Sequence, residues 1–144
     1  MDKKSDILRC EFLSFSKNEA LARSIVSSFV TQLDPTVAEL ADLKCAVSEA
    51  VTNCIVHGYR DSIGKIYLTL SENGKRSVKI EIRDKGCGIE NIEKAMEPLF
   101  TTDAENERSG MGFTVMESFT DTVRVRSSPG RGTKVTLIKK LSGL

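Results

Sequence analysis

Residues 65–84 carry the pattern that most narrows the folds open to this chain. Two runs, 65–72 (KIYLTLSE) and 77–84 (SVKIEIRD), alternate apolar and polar side chains and are joined through Asn73-Gly74. A period of two sends successive side chains to opposite faces of an extended backbone. Asn-Gly is a strong signal for a tight reversal between strands. The segment therefore reads as a β-hairpin in which Val78, Ile80 and Ile82 lie on one face and Lys79, Glu81 and Arg83 on the other. One face must be covered by something else in the chain.

The remaining segments supply the cover. Residues 7–15 alternate Leu8, Cys10 and Phe12 against Arg9, Glu11 and Leu13, which predicts a strand. Ser16-Lys17-Asn18-Glu19 has the form of a capping box that opens a helix running to about Leu33. Asp34-Pro35-Thr36 punctuates the chain. Thr36 to Glu39 offers a second box, opening a long helix to about His57, with Gly58 as its expected left-handed cap. A short helix is expected near 91–96, an irregular segment at 98–109, and another helix at about 111–119. Strands at 121–128 and 132–139 turn through Pro129-Gly130. The order β-α-α-β-β-α-α-β-β lacks the strict alternation of a doubly wound sheet. It predicts an α+β fold, a two-layer α/β sandwich whose mixed, mostly antiparallel sheet carries helices on one face.

With 144 residues and no linker or repeat, residues 1–144 are expected to form a single domain. The 21 basic and 20 acidic residues nearly cancel, which gives no electrostatic reason to expect nucleic-acid or membrane-surface binding. MDKKSD leads into an alternating segment rather than an apolar signal core, so a cytoplasmic location is expected. Cys10, Cys45, Cys54 and Cys87 form no C-x-x-C pair, and His57 is the only histidine. Free thiols are expected rather than a zinc site, with Cys45 and Cys54 filling helix surface.

Three features carry chemistry. Asp84 continues the buried phase of Val78, Ile80 and Ile82, and a carboxylate on an apolar face needs hydrogen-bond donors. Gly86 and Gly88 follow at once and allow a ligand close approach to the backbone. A plain turn after a strand explains the same residues. On the helix before it, Leu40, Leu43, Val47, Ala50, Val51 and Cys54 make the core stripe at about 100° per residue, while Glu49 and Asn53 lie one turn apart on the opposite side. An acid and an amide at that spacing can orient a nucleophile and a metal ion, or simply face water. Finally, Arg108-Ser109-Gly110-Met111-Gly112 opens a helix whose N-terminal amides suit a phosphate. Other nucleotide signatures are absent: there is no P-loop pattern, and Asn91 and Val115 stand where the third glycine of a dinucleotide-binding run would be.

Taken in order, SEAVTNCIVHGY (48–59), DKGCGI (84–89), PLFTT (98–102), ERSGMGF (107–113) and GRGT (130–133) resemble the Bergerat-type ATPase family shared by gyrase, Hsp90, histidine kinases and MutL. Within it they are most similar to the anti-sigma, serine protein kinase branch. The resemblance implies ATP or ADP as ligand and Mg²⁺ as metal. It implies that Asp84 accepts from the adenine amino group, that Asn53 coordinates Mg²⁺, and that Glu49 is the base that deprotonates an attacking serine hydroxyl. Gly86 and Gly88 would shape the adenine pocket, and Ser109, Gly110, Met111 and Gly112 would present amides to phosphate. Residues 98–109, with Thr101 and Thr102, would form a lid whose Arg108 neutralises the terminal phosphate. Thr133 would lie beside the base.

The same resemblance implies two partners, a sporulation sigma factor (sigma factor F) and an anti-anti-sigma factor phosphorylated on serine, and also a homodimer. It makes Glu19 and Arg23 docking residues, although at i, i+4 they equally suit a surface ion pair. His57 reads as a helix-terminal residue, and Cys87 carries no assigned role. Three alternatives stand beside this reading: a general-stress switch kinase, a binding-only module that uses ATP structurally, and a detached histidine-kinase catalytic module. The last lacks a phosphoacceptor histidine in a dimerising hairpin.

Overall fold

The computed structural model describes residues 5–96 and 112–143. Strand β1 (Asp6–Leu13) is followed by helices α1 (Asn18–Thr31) and α2 (Val37–Asn53), and α2 runs on into a π-helical turn at Cys54–Gly58. Strands β2 (Lys65–Glu72) and β3 (Ser77–Asp84) form the hairpin. Then come α3 (Ile92–Ala95), α4 (Gly112–Phe119), β4 (Thr122–Ser128) and β5 (Gly132–Lys140).

The five strands lie in the order β1-β2-β3-β5-β4, and every neighbouring pair is antiparallel. The hairpin bounds agree with the alternation at both strands. Its turn is held by Asn73, whose Oδ1 accepts from the backbone N–H groups of Lys75 (2.8 Å) and Ser77 (3.1 Å), and Gly74 takes φ 78°. β1 lies at the sheet edge with Leu8, Cys10 and Phe12 half-buried, the phase expected of it.

One face of the sheet is the core. Ile66, Leu68 and Leu70 of β2, Val78, Ile80 and Ile82 of β3, and Val135 and Leu137 of β5 meet the apolar stripes of the helices. α2 contributes Leu43, Ala46, Val47, Ala50 and Val51, flanked by Ala22, Val26, Phe29 and Val30 of α1 and by Phe113 and Met116 of α4. Each large aliphatic side chain removed from water contributes about 1.5–3 kcal/mol. The other face is polar. There Lys134 pairs with Glu81 at 2.7 Å and holds the Glu81 carboxyl below its ordinary range.

The Thr36 capping box forms as expected: Thr36 Oγ1 accepts from Glu39 N–H (3.0 Å), and Glu39 Oε1 accepts from Thr36 N–H (2.8 Å). The Ser16 box does not. Helix α1 has Lys17 at its N-cap with no side-chain bond. The Glu19 carboxylate turns away from its own helix end to accept from the Ser48 hydroxyl of α2 and to pair with Arg23 at 3.3 Å. A tertiary contact has taken the group that the local motif would have used.

The end of α2 also departs from expectation. The backbone amide of Tyr59 donates to the Cys54 carbonyl (2.9 Å), the wide i→i+5 bond of a π turn. Gly58 lies inside that turn and is not among the residues with positive φ, so it is not a left-handed cap. Cys54 is core, 3% exposed, rather than helix surface, while Cys45 is exposed. Among the described residues no helix is long and apolar enough to cross a membrane.

Candidate functional site

The end of α2, the end of β3, the start of α4 and the first residues of β5 converge on one cavity of about 560 Å³. Ala50, Ile82, Phe113 and Val135 give it apolar walls, and Asp84, Asn53 and Thr133 give it polar ones. A concave, mostly apolar space with a few convergent polar groups is the usual form of a small-molecule site.

Asp84 is its most unusual group. The strand phase carries the carboxylate inward, where it is 4% exposed. Burial raises its pKa from the ordinary value of 3.8, and three donors oppose that rise: the Gly86 N–H (2.8 Å to Oδ1), the Cys54 thiol and the Thr133 N–H. Thr133 is the direct cross-strand partner of Asp84 in the β3–β5 register. Its hydroxyl lies 2.8 Å from that of Ser127, which also accepts from the Ile89 N–H at 2.7 Å. Asp84, Thr133 and the loop after β3 are thus one hydrogen-bonded unit.

That loop is built by close backbone approach. A Cβ on Gly86 would lie inside contact distance of the Gly58 carbonyl oxygen, and Gly88, at φ +76°, would drive one into Ser128 O. The Gly58 carbonyl instead accepts from Cys87 N–H at 2.8 Å. The Tyr59 hydroxyl accepts from Lys85 N–H (2.8 Å) and donates to Lys65 O. These bonds lock the π turn of the helix onto the glycine loop of the sheet, with Asp84 between them.

Across the cavity, Asn53 and Glu49 stand one turn apart at the end of α2. Both approach the first residue of α4: a Cβ on Gly112 would lie 3.3 Å from Asn53 Oδ1 and 3.5 Å from Glu49 Oε2. Asn53 lines the cavity; Glu49 stands behind it toward α4. Of the residues expected at the site, Asn53, Asp84, Gly88, Gly112 and Thr133 line one space, Gly86 adjoins it through its bond to Asp84, and Glu49 lies near Gly112 without lining it. Thr101, Thr102, Arg108, Ser109, Gly110 and Met111, and the lid expected over 98–109, lie outside the described residues.

Glu19 and Arg23 lie elsewhere, on α1. Their ion pair forms, and Arg23 lines a shallow groove with Ser24, Ser27 and Lys44, its Nε buried without a hydrogen-bond partner. An exposed pair of this kind contributes only about 0.3–0.5 kcal/mol.

Sequence reasoning passed over several residues of the cavity wall. His57 and Cys87 both line it, as do Arg60 and Lys94. The Cys87 thiol lies 3.0 Å from the His57 carbonyl oxygen, and Arg60 adopts φ 53°. Their position beside SEAVTN and DKGCGI was the only signal available.

Residues 16–139 match the family described as histidine kinase-like ATPase domain. The chain is 54% identical over 135 residues to an anti-sigma F factor of Thermoanaerobacter pseudethanolicus, an alignment spanning 94% of each chain. It is 50% identical over 142 residues to that of Clostridium perfringens, spanning 99% of each. Among solved structures, the RsbU and RsbW domains of a Mycobacterium tuberculosis protein align with a TM-score of 0.71 at 19% identity, covering 96% of this chain and 33% of that one. The catalytic domain of histidine kinase ThkA aligns at 0.57 and 15%, covering 93% and 96%. At those identities the structural likeness speaks for the fold alone, whereas the full-length relatives go further: the chain belongs to the histidine kinase-like ATPase family, in its anti-sigma F factor branch.

Proposed function

We propose that this chain is an anti-sigma factor that holds sigma factor F inactive and, as an ATP-dependent protein serine kinase, phosphorylates the anti-anti-sigma factor that would release it. The observation that carries the reading is the buried Asp84 carboxylate at one end of a cavity whose other end bears Asn53, with Glu49 beside it at the head of α4.

An adenine nucleotide fits this donor and acceptor set. Asp84 is a charged acceptor in an apolar enclosure, suited to an exocyclic amino group. Val135, Ile82 and Ala50 offer flat apolar contact to a base. Asn53 presents an amide oxygen, a hard ligand of the kind magnesium takes. Mg-ATP, when bound, supplies the phosphoryl group and the metal charge that offsets it. Glu49 has the reach and the carboxylate to accept the proton of a serine hydroxyl brought to the head of α4. Gly112 leaves room there that any side chain would occupy. Arg108, in the segment 98–109, is assigned to the terminal phosphate by resemblance.

The identity of 50–54% to anti-sigma F factors supports the sigma factor as partner. The buried, unpaired Nε of Arg23 supports the α1 groove, with Glu19, as the docking surface. The exposed edge of β1, where Ile7 and Leu13 are 48% and 42% exposed, is available to a second copy of the chain. The experiment combines two arms. Purified protein, Mg-ATP and a candidate anti-anti-sigma factor are expected to yield phosphoserine, and Glu49→Ala is expected to abolish it. Pull-down from a spore-forming cell with ATP is expected to recover a sigma factor. Sigma factor recovered without any phosphoserine would leave a binding-only module, and the absence of both phosphoserine and sigma factor would overturn the reading.

A further inference from the structure

Ser127, Thr133 and Asp84 stand on one rung of the sheet. Thr133 is the direct partner of Ser127 in the β4–β5 register and of Asp84 in the β3–β5 register. Directly paired residues send their side chains to the same face. Asp84 and Thr133 line the cavity; Ser127, half-buried beside Thr133, does not. Three polar contacts converge on the Ser127 hydroxyl: the Ile89 N–H at 2.7 Å, the Gly132 carbonyl oxygen at 2.9 Å and the Thr133 hydroxyl at 2.8 Å.

A serine hydroxyl has one proton to donate and two lone pairs with which to accept. The Ile89 amide can only donate, and the Gly132 carbonyl can only accept. The Ser127 proton therefore goes to Gly132 O, one lone pair takes the Ile89 N–H, and the other takes the Thr133 proton. No other assignment makes all three contacts hydrogen bonds. With its only proton committed to Ser127, Thr133 can offer a ligand nothing but lone pairs. We propose that Ser127 is a positioning residue for base selection: by taking the Thr133 proton it makes Thr133, like Asp84, an acceptor, so that this end of the cavity receives the two N–H groups of a 6-amino purine and opposes a 6-oxo purine. The inference rests on the adenine-nucleotide reading of this cavity and adds to it a specificity determinant that acts through another residue. The same hydroxyl ties Ile89, in the loop after β3, to strand β4, which is a purely structural use. Only the positioning role depends on the Thr133 hydroxyl.

The test titrates the full chain calorimetrically with ADP and with inosine 5′-diphosphate, which carries a 6-oxo group in place of the 6-amino group. The wild type is expected to prefer ADP. Ser127→Ala frees the Thr133 hydroxyl to donate to the oxo group, and is expected to reduce the preference for ADP roughly fivefold, chiefly by improving the inosine nucleotide. Ser127→Cys, of similar shape and a poor acceptor, gives the same reading where Ser127→Ala is unstable. Ser127→Thr keeps a hydroxyl at the rung and is expected to keep the preference. In a Thr133→Val background, Ser127→Ala is expected to leave the preference as it stands. Equal weakening of both nucleotides by the Ala and Cys variants, or an unaltered preference, would overturn the proposal and leave Ser127 as a residue that steadies the loop. A change of preference that persists without the Thr133 hydroxyl would overturn it as well. A wild type that binds neither nucleotide, or does not distinguish them, would instead refute the adenine reading on which the proposal stands.

Discussion

Gly58→Ala separates the part Gly58 plays in this fold from the one its place in the sequence suggests. A left-handed cap would lose about 1 kcal/mol on such a change, would tolerate Asn, and would leave ligand binding alone. The structure puts the added Cβ 2.8 Å from Asp84 Oδ2 and 2.9 Å from its Cγ, roughly 0.6 Å short of the 3.4 Å at which ordinary contact begins. The carboxylate cannot swing aside freely, because it is buried and its Oδ1 accepts from the Gly86 amide at 2.8 Å. Overpacking of that kind costs about 1–3 kcal/mol, or about 4 °C in Tm per kcal/mol for a chain of this size. Moving a charged acceptor by about half an ångström forfeits most of a hydrogen bond worth about 1.5–3 kcal/mol, which raises the Kd for ADP by about 10- to 150-fold. Calorimetric titration with ADP, alongside thermal unfolding of the free protein, measures both. Gly58→Asn, which carries the same Cβ and more, is expected to be at least as damaging. A folded Gly58→Ala protein that binds ADP within twofold of wild type, with Gly58→Asn equally benign, would refute the steric argument.

Other consequences are as direct. Glu49→Gln keeps the shape of the side chain and removes the base, so phosphoserine formation is expected to fall by about 10²–10⁴ with ADP affinity retained; parallel loss of both would place Glu49 in binding instead. Burial raises the Asp84 pKa, so the folded state binds that proton more tightly than the unfolded chain does. The stability this contributes is complete below the ordinary value of 3.8 and is lost as pH rises through the raised value. Nucleotide affinity runs the opposite way, because the base needs the charged acceptor. ADP binding is expected to weaken on acidification before ordinary carboxylates titrate, and an affinity unchanged until those groups protonate would contradict it. Thr36→Ala removes the hydroxyl half of the capping box of α2 and is expected to cost about 1 kcal/mol of stability in a denaturant titration without altering ADP affinity.

Periodicity and turn chemistry were legible because they are local. Alternation over 65–72 and 77–84 placed both strands and sent Asp84 inward, and Asn73-Gly74 marked the reversal. Thr36 and Glu39 close their box within one turn of helix, and the distant Ser142 N–H, which also reaches Glu39, takes the other carboxylate oxygen and leaves the box intact. The Ser16 box obeys the same local rule and fails because Glu19 finds Ser48, 29 residues away, a competitor no window of neighbouring residues contains.

From the sequence alone came the kinds of element, their order, and the chemical types that would meet: an acid on an apolar strand face, an acid and an amide one helical turn apart, and glycines where backbones must approach. The tertiary structure alone decided that β5 rather than β4 lies against β3 and sets Thr133 beside Asp84. It also decided that α2 ends in a π turn, which sets Gly58 against that carboxylate. The physical reason is range. Dihedral preference and hydrophobic period act over a few residues of chain, whereas the donors that make a buried charge tolerable are brought together only when the sheet registers and the helix docks on it.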